Sequence, residues 1–214
     1  MFIDSQGITF VAMKVAIIKY NAGNIQSVKY ALQRLGIDPI ITDDADEIKS
    51  ADKVIFPGVG EAKSAMNYLI EHNLVHLIKS LTQPVLAICI GQQLMCTTSE
   101  EGDTECMNIF PIAVKRFPNG VLVNGEKLKI PHMGWNSISF NKDFPLFKNL
   151  GENPFVYYVH SYCAEIDPKY TIATTDYATS FSAGLHKDNF YALQFHPEKS
   201  GKVGEQILNN FLAL

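Results

Sequence analysis

A thiol, an imidazole and a carboxylate stand in this chain where nucleophilic catalysis would want them. The apolar run Val85-Leu86-Ala87-Ile88 stops at Cys89, and Ile90-Gly91-Gln92-Gln93 then changes to a helical pattern. A strand that ends on a nucleophile and passes directly into a helix lifts that side chain out of the sheet. It also aims the helix's first free N–H groups, that of Ile90 foremost, at whatever is attacked. More than a hundred residues later, Gln194-Phe195-His196-Pro197-Glu198 places an imidazole and a carboxylate two positions apart. In an extended segment that spacing puts both side chains on one face. Cys89 as nucleophile, His196 as base and Glu198 as the group that orients the imidazole then complete a triad. Taken singly, a cysteine ending a buried strand is a small core hydrophobe and a histidine near a strand end is structural. The conjunction points to chemistry.

A second loop belongs with the first. Pro57-Gly58-Val59-Gly60 follows a short apolar run, so it also sits at the end of a strand, where open α/β sheets place their ligands. Its glycines let the backbone approach a substrate closely. An N–H from Gly58, Val59 or Gly60 could join that of Ile90 in stabilising an oxyanion.

The elements that must position these groups alternate strand and helix in the first half. Strands are expected at 15–20, 39–42, 53–56 and 85–88, and helices at 24–35 (stopped by Gly36), 61–70, 74–81 and 92–98. The second half reads as strands at 127–130, 137–140, 155–160, 170–175, 181–186 and 190–195, then a helix over 201–214. The expected fold class is α/β with three layers: a mostly parallel central sheet flanked by helices, and additional antiparallel strands in the second half. Residues 13–214 are expected to form one domain, with 1–12 an N-terminal extension.

Composition narrows the partners. The chain has 214 residues, 47% of them hydrophobic, and a net charge of −4 with no basic block, which argues against nucleic acid. No apolar run is long enough to span a membrane, and the N-terminus lacks the pattern of a signal peptide. Cys89, Cys96, Cys106 and Cys163 form no pair or cluster with ligand spacing, so no metal or cofactor is expected and the thiols read as reduced, in the cytoplasm.

Together, Ala87-Ile88-Cys89-Ile90-Gly91-Gln92-Gln93, the Pro57-Gly58-Val59-Gly60 loop, His160-Ser161-Tyr162 and His196-Pro197-Glu198-Lys199-Ser200 resemble the triad-type (class I) glutamine amidotransferases. The resemblance runs from about Lys14 to Leu214. It implies that Cys89 attacks the side-chain amide of glutamine and that Gly60, Gly91, Gln93, Glu101, His160, Ser161 and Tyr162 hold the substrate. Tyr20-Asn21-Ala22-Gly23-Asn24 and Pro131-His132-Met133-Gly134-Trp135-Asn136 further resemble the branch that serves histidine biosynthesis. In that branch ammonia passes to a separate (β/α)₈ barrel cyclase acting on a phosphorylated ribulosyl aminoimidazole carboxamide nucleotide. Asn24, His132, Trp135, Asn136 and Lys199 would then form the docking face. A paralogue that aminates a surface sugar would keep the same triad. Ala87, where the turn commonly has glycine, Gln92, where methionine is common, Cys96-Thr97-Thr98 and Cys106-Met107-Asn108 depart from the usual pattern without touching the triad.

Overall fold

A computed structural model describes residues 2–3, 9–10, 13–21, 24–123 and 125–214. Most of the expected 1–12 extension lies outside the described residues; within it only the antiparallel pair β1 (Phe2–Ile3) and β2 (Thr9–Phe10) is described. The α/β half then runs β3 (Val15–Ile18), α1 (Ile25–Arg34), β4 (Ile40–Thr42), α2 (Ala45–Lys49), β5 (Lys53–Phe56), α3 (Ala62–Glu71), α4 (Leu74–Lys79), β6 (Val85–Ile88) and α5 (Ile90–Met95). Short strands β7 (Thr98–Ser99), β8 (Thr104–Glu105), β9 (Ala113–Arg116), β10 (Leu122–Val123) and β11 (Glu126–Lys127) follow. Next come β12 (His132–Ser137), β13 (Ser139–Phe140), β14 (Phe155–His160), β15 (Tyr162–Ala164), β16 (Thr171–Asp176), β17 (Ser180–Lys187), β18 (Phe190–Leu193) and α6 (Gly201–Leu212).

The main sheet has eight strands in the order β13-β16-β17-β18-β6-β5-β3-β4. From β18 to β4 every pairing is parallel, and from β13 to β18 every pairing is antiparallel. The boundary falls between β18 and β17, so the strands carrying Cys89 and the approach to His196 lie side by side and point the same way. β3, β5 and β6 are buried along their whole length, as parallel strands covered on both faces must be. Their side chains divide by parity. Ala16, Ile18, Val54, Phe56, Val85 and Ala87 pack with α3, α4 and α5, whereas Val15, Ile17, Ile55, Leu86 and Ile88 pack with α1 and α6. That is the three-layer α/β arrangement expected from the sequence.

Several local expectations change. α5 starts at Ile90, immediately after the cysteine, not at Gln92, and ends at Met95, where Thr98 and Ser99 enter a four-stranded sheet of order β15-β9-β7-β8. α2 lies in the charged stretch after β4. Its N-cap Asp44 accepts the N–H groups of Asp46 and Glu47 at 2.9 Å each, a capping signal strong enough to set a short helix. Of the expected strand at 127–130 only Lys127 is in a strand, as the end of β11 paired with Leu122 of β10. The expected strand at 137–140 is split at Ile138. The longer strand of that region is β12, which begins at His132 and pairs antiparallel with β14.

Candidate active site

Cys89 occupies the turn between β6 and α5 with φ 54° and ψ −109°, a backbone conformation that a side chain adopts only under strain. The turn is held from both ends. The Cys89 N–H donates to Leu193 O at 2.7 Å, and Cys89 O accepts from Gln92 N at 3.0 Å. Gly91 is required beneath it, because a Cβ there would stand 2.5 Å from Phe56 O. The family resemblance makes Gly91 a substrate contact; it instead packs under the turn and does not line the cavity.

β18 runs parallel to β6, so the chain leaving Leu193 passes beside the turn. His196 is extended (φ −100°, ψ 93°), but Pro197–Lys199 form a single 3₁₀ turn that curls Glu198 back beneath the imidazole. The two side chains therefore meet through a turn, not through the alternation of an extended strand. His196 Nδ1 donates to Glu198 Oε1 at 2.8 Å, and both side chains are almost completely buried. Ser200 Oγ donates to His196 O at 2.6 Å and accepts from Tyr157 N at 3.0 Å, tying the segment to β14. His196 Nε2 has no hydrogen-bond partner among the described residues. Burial opposes charge on this ring, but the Cys89 thiolate and the Glu198 carboxylate outweigh it and push its pKa up to about 10. The electrostatics favour an imidazolium at His196.

The family resemblance assigns Asn24 to the docking face. In the structure this half-buried residue reaches the triad: its Nδ2 donates to Glu198 Oε1 at 2.7 Å, so one carboxylate oxygen accepts from both Asn24 and His196.

A cavity of about 220 Å³ opens at Cys89, lined by Val59, Gly60, Ile90, Gln93, Glu101, Val159 and the 160–162 segment. It gathers most of the expected oxyanion and substrate residues around the thiol. Gly58 lies behind it, where a Cβ would come within 2.2 Å of both Ile90 Cγ2 and Tyr20 Oη. Tyr20 Oη donates to Pro57 O at 2.6 Å; burial, and then the nearby Cys89 charge, keep this phenol protonated. The N–H groups of Gly58, Val59 and Gly60 meet no acceptor among the described residues. Glu101 reaches the rim with one oxygen engaged, its Oε2 accepting from Ala62 N at 2.8 Å. Burial, opposed by that bond, holds its carboxyl above the usual range. A larger open cleft of about 1180 Å³ beside Asn119, Lys127, Lys129 and Tyr177 contains none of the triad.

Hydrogen-bond polarity behind the cavity can be read without ambiguity. Tyr162 O can only accept. It does so from Gln93 Nε2 at 2.9 Å and from His160 Nδ1 at 2.8 Å. Gln93 Nε2 also donates to Gln194 Oε1 at 3.0 Å, which leaves Gln194 Nε2 facing Cys89 Sγ at 3.8 Å. On the other branch His160 must accept at Nε2. His132 therefore carries its proton on Nδ1, 3.1 Å away, and takes Asn136 Nδ2 on its own Nε2 at 3.4 Å. Burial pushes the pKa of His160 down to about 3 and that of His132 to about 4, so both rings stay neutral in this chain of bonds. Gln194 is not among the site residues that the sequence singles out. Its parity with His196 is the available signal, since positions two apart on a strand share a face.

The β12–β14 ribbon separates the expected docking residues. Trp135 pairs with Tyr157 and Met133 with Val159 on the outward face, and Trp135, Met133 and Phe155 are each more than half exposed. His132 and Asn136 have the opposite parity. His132 is buried and Asn136 is half-buried, donating to Asp176 O at 3.0 Å. Only Trp135, and Lys199 with its Nζ 6.0 Å from the Tyr157 ring, stand on the surface as expected. Among the described residues no helix is long and apolar enough to cross a membrane.

The family model for class-I glutamine amidotransferases matches residues 16–214. An imidazole glycerol phosphate synthase subunit HisH from Bacteroides fragilis is 57% identical over 202 residues, covering 94% of this chain and 100% of that protein. The protein of the same name from Idiomarina loihiensis is 43% identical over 202 residues, covering 94% of this chain and 98% of that one. Among solved structures, a candidate GMP synthase component from Thermoplasma acidophilum superposes with a TM-score of 0.73 at 21% identity, over 96% of this chain and 94% of that one; this likeness speaks to fold alone.

Proposed function

The chain belongs to the class-I glutamine amidotransferases, and on that premise we propose that it is the glutaminase subunit of an imidazole glycerol phosphate synthase, supplying ammonia for histidine biosynthesis. The observation that carries this reading is the strained Cys89 turn set against the buried His196–Glu198 pair. The 57% identity to a HisH protein supports the assignment of pathway.

In the proposed reaction the Cys89 thiolate attacks the side-chain carbonyl carbon of glutamine, and the carbonyl π electrons move to oxygen. The N–H of Ile90 and one from Gly58, Val59 or Gly60 receive that oxyanion. As the tetrahedral intermediate collapses, the carbon–nitrogen bond breaks and the departing nitrogen takes a proton from His196 Nε2, leaving as ammonia. Neutral His196 then removes a proton from water, which attacks the thioester. Expulsion of Cys89 releases glutamate and restores the thiolate and imidazolium. Glu198, steadied by Asn24, keeps the imidazole in the tautomer and orientation that both proton transfers need. Gln93, Glu101, His160, Ser161 and Tyr162 hold the amino-acid end of the substrate, with Glu101 suited to the α-ammonium and the Ser161 hydroxyl to the α-carboxylate.

Free ammonia would be lost to solvent or protonated, so the acceptor enzyme must cover the cavity mouth. The partner proposed is the (β/α)₈ barrel cyclase, docking on the apolar face of β12 and β14 around Met133, Trp135 and Phe155, with Lys199 at its edge. Val159 belongs to that face and also lines the Cys89 cavity, so a partner seated there would close over the thiol. Residues 13–214 act as one domain in this reading, in the cytoplasm, without metal or cofactor.

The test is glutamate release by the chain alone and with the cyclase, with and without the nucleotide acceptor. Activity that depends on the cyclase and disappears in Cys89→Ala is the expected result. Full activity in Cys89→Ala would remove the proposed nucleophile, and indifference to the cyclase would remove the proposed partner.

A further inference from the structure

Gln194 is wholly buried, and the mechanism above does not use it. Its backbone is fixed by the bond from Gln194 N to Ala183 O at 2.9 Å, and its side chain has two named partners: Gln93 Nε2 on its oxygen and Cys89 Sγ on its nitrogen. Among the described residues the sulfur is the only acceptor for Gln194 Nε2. The orientation of this amide follows from its neighbours. Reversing Gln93 would set its oxygen against Tyr162 O, and reversing Gln194 would set its NH₂ against that of Gln93; each puts like against like inside the protein. Tyr162 O, Gln93 and Gln194 thus form a one-way series that ends on the nucleophile with an N–H donor.

We propose that Gln194 is a catalytic residue whose side-chain amide donates to Cys89 Sγ, favouring the thiolate and aiming it into the cavity, and that Gln93 is the positioning residue that holds this donor in place. The inference rests on Cys89 being the nucleophile. A sulfur anion in a buried site is stabilised by each donor directed at it. His196 Nε2, which has no hydrogen-bond partner among the described residues, offers this anion positive charge only until it gives its proton to the leaving ammonia. The Gln194 amide has no proton to transfer, so it remains a donor when the thiolate is expelled from the thioester. Gln93 acquires a second duty besides binding substrate, because its own two donor bonds decide which end of Gln194 faces the sulfur.

The test is the pH dependence of Cys89 alkylation by iodoacetamide, followed at that residue by peptide mass spectrometry in the full chain without substrate. Gln194→Met keeps the volume and removes the donor; its alkylation midpoint is expected to rise by about one pH unit, a roughly tenfold loss of thiolate at any pH well below it. Gln194→Glu is expected to raise it further, since a carboxylate would oppose the thiolate. Gln92→Met is the control: Gln92 is equally buried but donates to Ser182 O, and its replacement should leave the midpoint in place. With glutamine, Gln194→Met should lower kcat about tenfold and change KM by less than about threefold. A folded Gln194→Met with an unmoved midpoint overturns the proposal, as does a shift matched by Gln92→Met. If Gln194→Met does not fold, the side-chain amide NMR signals of Gln194 in the unaltered protein decide. A shift in step with Cys89 ionisation supports the donor, and its absence overturns it. An active Cys89→Ala would instead defeat the nucleophile assignment on which the proposal stands.

Discussion

Replacing Gly58 by alanine adds one methyl group at the back of the site, and the structure sets what it meets. The new Cβ would stand 2.2 Å from Ile90 Cγ2 and 2.2 Å from Tyr20 Oη, each about 1 Å closer than ordinary contact permits. Neither neighbour can yield freely. Ile90 opens α5 beside Cys89, and Tyr20 Oη is buried and bonded to Pro57 O at 2.6 Å. The 57–60 loop must therefore move toward the cavity by about 1 Å, taking its N–H groups with it. A displacement of that size in a preorganised donor is comparable to losing it, which costs about 10²–10³ in rate. Gly58→Ala, assayed for glutamate release with the cyclase and nucleotide present, should lose kcat by that factor. Its far-ultraviolet circular dichroism should be unchanged, because the loop lies outside the helices and strands. Gly151→Ala, where no heavy atom lies within 4 Å of the added Cβ, should match the unsubstituted protein. A Gly58→Ala protein within about threefold of full activity would show that the 57–60 loop does not present the oxyanion donor.

Three further outcomes are expected. Cys89→Gly should melt higher than Cys89→Ala, by on the order of 1 kcal/mol, because glycine accepts φ 54° and ψ −109° without strain; equal melting temperatures would show that the turn stores none. Stability should fall as the medium is acidified from pH 6.5 toward 4, by up to about 1.4 kcal/mol per pH unit for each of His132 and His160. Their folded values near 4 and 3 lie below the ordinary 6.5, so the unfolded chain binds the protons first. His196 has the opposite sign, its contribution complete below 6.5 and lost as pH rises to about 10. Urea midpoints that stay flat between pH 7 and 5 would contradict the buried neutral pair. Trp135→Ala should weaken cyclase binding by about 2 kcal/mol or more, measured by calorimetry, and leave the alkylation rate of Cys89 in the free subunit unchanged; unaltered affinity would place the docking face elsewhere.

The parts of this protein that are legible in its sequence are those where one local rule dominates. Buried parallel strands read as unbroken apolar runs, so β3, β5 and β6 are visible, and the thiol at the end of β6 announces its own turn. What stays hidden depends on partners distant in sequence. His132-Met133-Gly134-Trp135 has no strand signature of its own; it becomes β12 because β14 offers a complete ladder to pair with. The sequence predicts the His196–Glu198 contact for a reason the structure replaces, since proline starts a 3₁₀ turn in place of an extended segment. Asn24 cannot be connected to Glu198 by spacing, because the two are brought together only when α1 packs near the 197–199 turn. Of the docking residues the sequence gives types without parity, and parity decides which of them reach the surface.

That parity has a consequence for how the molecule can change. A two-residue period lets β12 carry two independent texts on one backbone: 133 and 135 are written outward, where a partner reads them, and 132 and 136 inward, where they hold His160 in place behind the cavity. Partner preference can therefore drift by point substitution at the outward positions while the inward lettering stays constant. Inserting or deleting one residue would exchange the two texts along the rest of the strand. Substitutions should thus retune the docking face freely, whereas β12 admits no change of length between His132 and Asn136.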